Sequence, residues 1–145
     1  MSAETPIQSV REALYSLLKA NVTEIKDVYK MRPTEGVKVP SIVMQKIGGP
    51  GEKPAGLGQA YSADRRGVYI TLVIQVDIFH NNTTDLDAVA DRVLTLLVEK
   101  KIRVGDSDLE IKLRRSPVEI PEGEAGEKLY HVSMDFEVEA PFTWT

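Results

Sequence analysis

The segment that most constrains the fold is 68–79, in which every second residue is aliphatic. Side chains of a β-strand point alternately to its two faces, so one face of this segment is entirely aliphatic. The other face carries polar residues such as Gln75 and Asp77 together with apolar ones such as Val73 and Phe79. We therefore predict a central strand that is partly covered on both sides.

Other segments show the periods of helices and strands. Pro6 opens a stretch in which Val10, Leu14 and Leu18 recur at helical spacing, and Thr84 with Asp87 forms a capping box before a second helical stretch. Strands are predicted at 28–31, 42–47, 109–114 and 130–139 from runs of apolar residues or alternation. In the last of these, His131, Ser133, Asp135, Glu137 and Glu139 share one face, which predicts a solvated sheet face.

The order of these elements indicates the fold class. A helix precedes three strands, and a second helix precedes two more. This order predicts an α+β fold, an antiparallel or mixed sheet with both helices packed on one face. A length of 145 residues suits a single domain, 1–145, because domains of this size bury enough surface to be stable alone.

Two connections are longer than a turn requires. The first, 48–67, holds six of the ten glycines and is predicted to form a long β-hairpin arm with Lys53, Arg65 and Arg66 among its charges. The second, 117–128, is an acidic loop with Glu119, Glu122 and Glu124. If copies associate head to tail, the basic arm of one copy meets the acidic loop of the next, and such contacts close into rings or continue as filaments.

Residue chemistry argues against an enzyme. The chain has no cysteine and only two histidines, so thiolate catalysis and a histidine metal cluster are not predicted. The glycines near Gly48 and Gly56 lack the motifs of phosphate and dinucleotide loops. Asp135 lies about 13 Å from His131 along a strand, which is too far for a catalytic pair. No catalytic, cofactor or metal residue is assigned.

Charge and aromatic residues near the end of the sequence suggest contacts instead. Asp135, Glu137 and Glu139 form an acidic row that could line a ring lumen, where negative charge repels phosphate and lets DNA pass without specific binding. Phe142 and Trp144 are two aromatics that could anchor in a neighbouring subunit.

The sequence predicts neither a targeting segment nor a membrane-spanning helix, so we expect synthesis in a cytoplasm.

The chain resembles the tail terminator, or tail completion, proteins of long-tailed bacteriophages over nearly its whole length. The resemblance rests on an N-terminal helix of the type IQSVREAL at 7–14 and a VPSIVMQ-type strand at 39–45. A long arm follows, then a YITLVIQVDIF strand at 69–79 and a helix at 84–100. Family members are identified by this pattern and not by catalytic residues.

The resemblance implies a structural virion protein without a cofactor. It implies a homohexameric ring that caps the tail tube, ends tube polymerisation and joins the tail to the head–tail connector protein. The partners would be the tail tube protein and the connector, and DNA would pass through the lumen. The protein would assemble in the host cytoplasm and reside in the virion, in the tail or neck.

Two alternatives remain open at this stage. One is another neck, connector or baseplate-side virion subunit with a similar small fold. The other is a small oligomeric ligand-binding domain or enzyme with its site between subunits. An enzyme would require a concave pocket with converging polar groups, whereas a ring would require complementary surfaces.

Overall fold

The computed structural model describes residues 6–30, 39–46, 59–62, 65–98, 100–104, 107–121 and 129–144. Within these ranges the helices are α1 (Pro6–Asn21) and α2 (Thr83–Leu97). The strands are β1 (Asp27–Tyr29), β2 (Ser41–Lys46), β3 (Gln59–Ser62), β4 (Arg65–His80), β5 (Lys101–Val104), β6 (Ser107–Pro121) and β7 (Tyr130–Trp144).

The strands form one mixed sheet, which confirms the predicted α+β class. Six strands follow the order β1-β2-β4-β7-β6-β5 and curve into a half-barrel, while β3 pairs with β4 off this path. β1 and β2 are parallel, and the other pairs are antiparallel. The longest pairing joins β4 to β7, from Arg66 opposite Trp144 to His80 opposite Tyr130. The two-stranded ribbon of β4 and β7 lies at the centre of the sheet.

The aliphatic face of β4 packs into the main core, as the alternation predicts. Leu72, Ile74, Val76 and Ile78 are buried there. The same core contains the buried faces of both helices and of the neighbouring strands, including Leu14 of α1, Val93 of α2 and Phe136 of β7. Burial of this apolar surface at about 25 cal/mol per Å² is the main force that holds the helices on the sheet.

The opposite face of the sheet is also buried over part of its area. Val43, Val73 and Phe79 are each at most 4% exposed on that face, which confirms that β4 is covered on both sides. The prediction that this face of β7 is solvated is wrong at one end, because His131 and Ser133 are buried. It is correct at the other end, where Glu139 is exposed.

The N-cap of the second helix lies two residues before the predicted one, Thr84. Asn82 is the N-cap, and its side-chain oxygen accepts a hydrogen bond of 3.0 Å from the backbone N–H of Asp85. Asparagine is preferred over threonine at the N-cap, which is consistent with a cap at Asn82. Asp85 lies in the first turn, where its negative charge interacts favourably with the partial positive charge of the helix N-terminus.

Three predicted boundaries differ because β-pairing extends further than local patterns indicate. β4 begins at Arg65 and pairs with β3, in which Ala60 lies opposite Arg66. The C-terminal end of the predicted arm 48–67 is therefore a hairpin. β6 continues to Pro121, so the first residues of the predicted loop 117–128 are strand. β7 continues to Trp144, which pairs with Arg66.

The part of the chain that the structure describes contains no helix that is long and apolar enough to span a membrane.

Candidate functional site

A polar network lies on the second face of the sheet, centred on the carboxylate of Asp77. Asp77 is fully buried near the C-terminal end of β4. Nε2 of His131 on β7 lies 2.7 Å from its Oδ1. The side-chain amide of Gln75 donates to both carboxylate oxygens at 2.9 and 2.8 Å, and that of Gln45 on β2 donates at 3.2 Å. One acid thus connects three adjacent strands.

Hydrogen bonding keeps this buried acid ionised. Burial alone would raise the pKa of Asp77, because a carboxylate loses its hydration inside a protein. Hydrogen bonds from His131, Gln75 and Ser133 favour the charged form more strongly, so the pKa lies below its ordinary value of 3.8. The negative charge is therefore a permanent part of the sheet near neutral pH.

Arg115 extends the network to the fourth strand. Its guanidinium binds Asp135 through Nε and Nη2 at 3.0 and 3.1 Å, and Nη2 also donates to the hydroxyl of Ser133 at 2.7 Å. Irregular pairing between β6 and β7 on both sides of Arg115 marks the bulges that bring it opposite Asp135. The pKa of Arg115 is raised, chiefly by its hydrogen bonds to Asp135.

The three acids predicted to line a lumen do lie on one face of β7, but they are not equivalent. Asp135 is neutralised by Arg115, and Glu137 lies 3.9 Å from Arg114 and opposite Lys112. Glu139 is exposed. The face of β6 and β7 therefore carries mixed charge, with cations of β6 beside the acids of β7.

The network contains histidine, acid and serine, yet its geometry does not match a catalytic triad. Nε2 of His131 is bound to the acid and is not directed at a hydroxyl. Ser41 is buried and its hydroxyl has no hydrogen-bond partner among the described residues, but Phe79 lies between it and His131 in the register, about 10 Å across two strand spacings. The ring of Phe79 stacks on His131, with centroids 4.2 Å apart. The arrangement joins adjacent strands of the sheet.

The other histidine also has a local structural contact. Nδ1 of His80 accepts hydrogen bonds from the backbone N–H groups of Asn81 and Asn82, at 3.0 and 3.2 Å, and so fixes the turn into α2. Among the described residues, no group of three or more histidines and acids is arranged to hold a metal ion.

A groove of about 390 Å³ lies on the opposite side of the sheet, between α2 and the C-terminal half of β6. Its apolar lining comes from both elements and from β7, and three acids stand around it; the lining residues are Asp87, Ala90, Asp91, Leu94, Pro117, Glu119 and Val132. Glu119 was predicted as a contact residue from the acidic segment alone. The two aspartates of α2 were not, because only the fold brings the helix beside β6.

The remaining predicted contact residues are spread over the chain. Arg65 and Arg66 begin β4, at the end of the ribbon remote from α2. Phe142 and Trp144 belong to β7 opposite that same end of β4. Lys53, Glu122 and Glu124 lie outside the described residues.

Comparison with known proteins identifies the fold. No protein-family model and no curated protein matches the chain. A chain in the solved structure of the virion of the native gene transfer agent particle has a similar fold, with a TM-score of 0.57 and 16% sequence identity. The alignment covers 97% of this chain and 98% of that chain. The similarity therefore extends over the whole fold of both chains.

Proposed function

We propose that this protein is a non-catalytic structural subunit of a phage-like virion. The observation that carries the proposal is the end-to-end similarity of the fold to a chain of the gene transfer agent virion. A match over nearly the full length of both chains means that the whole subunit, and not a common small motif, is shared. Fold similarity alone does not define a function, so the surface of this chain must also support the role.

The specific role that we propose is that of a tail terminator. In this role the chain forms a homohexameric ring that caps the tail tube, stops its polymerisation and joins it to the head–tail connector protein. The support is the agreement between the observed element order and the pattern of that family, in which an N-terminal helix and a strand precede the long strand and the second helix; residues 48–58 of the predicted arm lie outside the described residues.

The distribution of charge supports directional assembly. Arg65 and Arg66 lie at one end of the β4–β7 ribbon, and Glu119 lies near the other end, where β6 pairs with Val132. Opposite charges at opposite ends favour head-to-tail contacts, and those close into a ring when the rotation between neighbours permits. Lys53, Glu122, Glu124, Phe142 and Trp144 are proposed to contribute to the same contacts or to the contact with the tube.

The lumen of the proposed ring would be lined by the face of β7 that carries Asp135, Glu137 and Glu139. Because Asp135 is paired with Arg115, the acid that would repel DNA most effectively is the exposed Glu139. DNA would then pass without specific binding, and no cofactor would be required.

Immunoelectron microscopy of particles made by the source genome tests this role. Antibodies against the chain are expected to label the junction of head and tail, and deletion of the gene is expected to give tails of irregular length. An antibody against the major head protein is the positional control. Label at the distal tip would favour a baseplate-side subunit, and absence of the chain from purified particles would contradict a virion role.

A further inference from the structure

The groove between α2 and β6 combines an apolar floor with exposed acids. Ala90 and Val132 are buried at its base, and Leu94 is half-buried beside them. Asp87, Asp91 and Glu119 are exposed around it. Among the described residues, none of these three carboxylates takes part in an ion pair, although other exposed acids such as Glu24 and Asp108 do.

A groove of this kind fits a short segment with cationic side chains. The long alkyl stems of arginine or lysine can cover apolar surface while their charged ends reach carboxylates at the rim. Arginine suits the site particularly well because its guanidinium binds carboxylates through paired hydrogen bonds. A neutral or acidic occupant would leave the three acids without counter-charge.

Two adjacent arginines lie too far from the groove of their own subunit to enter it. Arg65 and Arg66 are the first residues of β4, which pairs with β3 in a hairpin. Val132 at the groove pairs with Ile78, twelve positions further along β4 than Arg66. At about 3.3 Å per residue, the path along β4 between the two points is about 40 Å, which is far beyond the reach of an arginine side chain, so another copy must bring these arginines to the groove.

We propose that the α2–β6 groove of one subunit receives the β3–β4 hairpin of a second copy of this chain, with Arg65 and Arg66 opposite Asp91 and Glu119. This inference rests on the proposed self-assembly and identifies the surfaces that meet. The acceptor is a groove on the body of the subunit and includes α2, whereas the sequence pointed to the acidic segment alone. The contact is heterologous and leaves a free hairpin and a free groove at the ends of any open assembly.

Paired charge reversals test the contact with the full chain. The groove variant carries Asp91→Lys and Glu119→Lys, and the hairpin variant carries Arg65→Glu and Arg66→Glu. Each variant alone places like charges at the contact and is expected to require at least a roughly tenfold higher concentration to assemble, as measured by light scattering. Circular dichroism checks that each variant folds.

The matched control carries Lys101→Glu and Arg103→Glu on β5. It has the same change in net charge as the hairpin variant, and both residues are exposed. It is expected to assemble at wild-type concentration. A loss equal to that of the hairpin variant would show that net charge, and not this contact, governs assembly, and would overturn the proposal.

A mixture of the groove and hairpin variants gives the decisive result. Each variant then presents a surface complementary to the other, so alternating assemblies are expected to form where neither variant assembles alone. The groove contact would be overturned if the mixture did not assemble, or if either variant alone assembled at the wild-type concentration. In both cases an oligomer of the wild-type chain would still support the ring proposal. A wild-type chain that remains monomeric would remove both.

Discussion

Replacement of Asp77 by asparagine tests the physical account of the buried network. The carboxylate accepts hydrogen bonds from Gln75, Gln45 and His131 at 2.7–3.2 Å. In Asp77→Asn one of the two oxygens becomes an NH₂ group that faces donors, so about two charge-assisted hydrogen bonds are lost. Such bonds contribute about 1.5–3 kcal/mol each, and relief of charge burial offsets part of the loss.

We therefore expect the free energy of unfolding to fall by about 3 kcal/mol near neutral pH. At about 2–4 °C per kcal/mol for a chain of this size, Tm should fall by roughly 10 °C. Urea and thermal unfolding followed by circular dichroism measure both quantities. Asp108→Asn is the matched control, because this acid is exposed and its ion pair with Arg103 should contribute less than about 1 kcal/mol.

The pH dependence of the same variant provides a sharper test. Because the pKa of folded Asp77 lies below the ordinary value of 3.8, its ionised form stabilises the fold fully above that pH. The stabilisation is lost as pH falls from 3.8 through the lower pKa of the folded state. The difference in stability between wild type and Asp77→Asn should therefore be constant above pH 3.8 and shrink below it. A difference under about 1 kcal/mol at neutral pH, or one that grows on acidification, would show that the ionised carboxylate of Asp77 does not stabilise the fold.

Three further substitutions have expected results from single contacts. Asn82→Ala removes the N-cap of α2 and should lower the free energy of unfolding by about 1 kcal/mol, whereas Asn82→Asp should restore it. Arg115→Lys loses the paired hydrogen bonds to Asp135 and should destabilise by about 1–2 kcal/mol; an unchanged urea midpoint would contradict a role in joining β6 to β7. Phe136→Ala empties a fully buried site and should cost about 3–5 kcal/mol, measured by urea unfolding, and a loss below about 1 kcal/mol would contradict its place in the core.

The fold could be predicted largely because its central strands carry unambiguous local patterns. The alternation of β4 and β7 fixes which side chains face the helices, and both helices have clear apolar stripes. The ends of strands were less predictable because they depend on partners distant in sequence. Trp144 belongs to a strand only because it lies opposite Arg66, and no local pattern encodes that pairing.

The polar network shows the same limit for a site. His131 was compared with Asp135 on its own strand, but its partner is Asp77, 54 residues earlier. Strand order and register bring the two together, and neither can be obtained from one sequence. Asp77 itself gave a usable signal, since an acid within a long and largely apolar strand requires buried hydrogen-bond partners.

Arg115 and the aspartates of α2 were missed for a related reason. Arg115 faces Asp135 because bulges shift the register of β6, and Asp91 approaches Glu119 because the helix packs beside that strand. The charge of the acidic segment was evident from its composition. The groove that Glu119 lines forms only when α2 packs beside β6, so the sequence did not indicate it.

The proposed assembly of this chain into a ring can be observed in the isolated protein. Negative-stain electron microscopy of the concentrated wild-type protein is combined with a light-scattering mass from the same sample. We expect closed rings with a central opening and a mass six times that of the 16.1 kDa chain. A uniform population with the mass of a single chain and no rings on the grid would contradict the account.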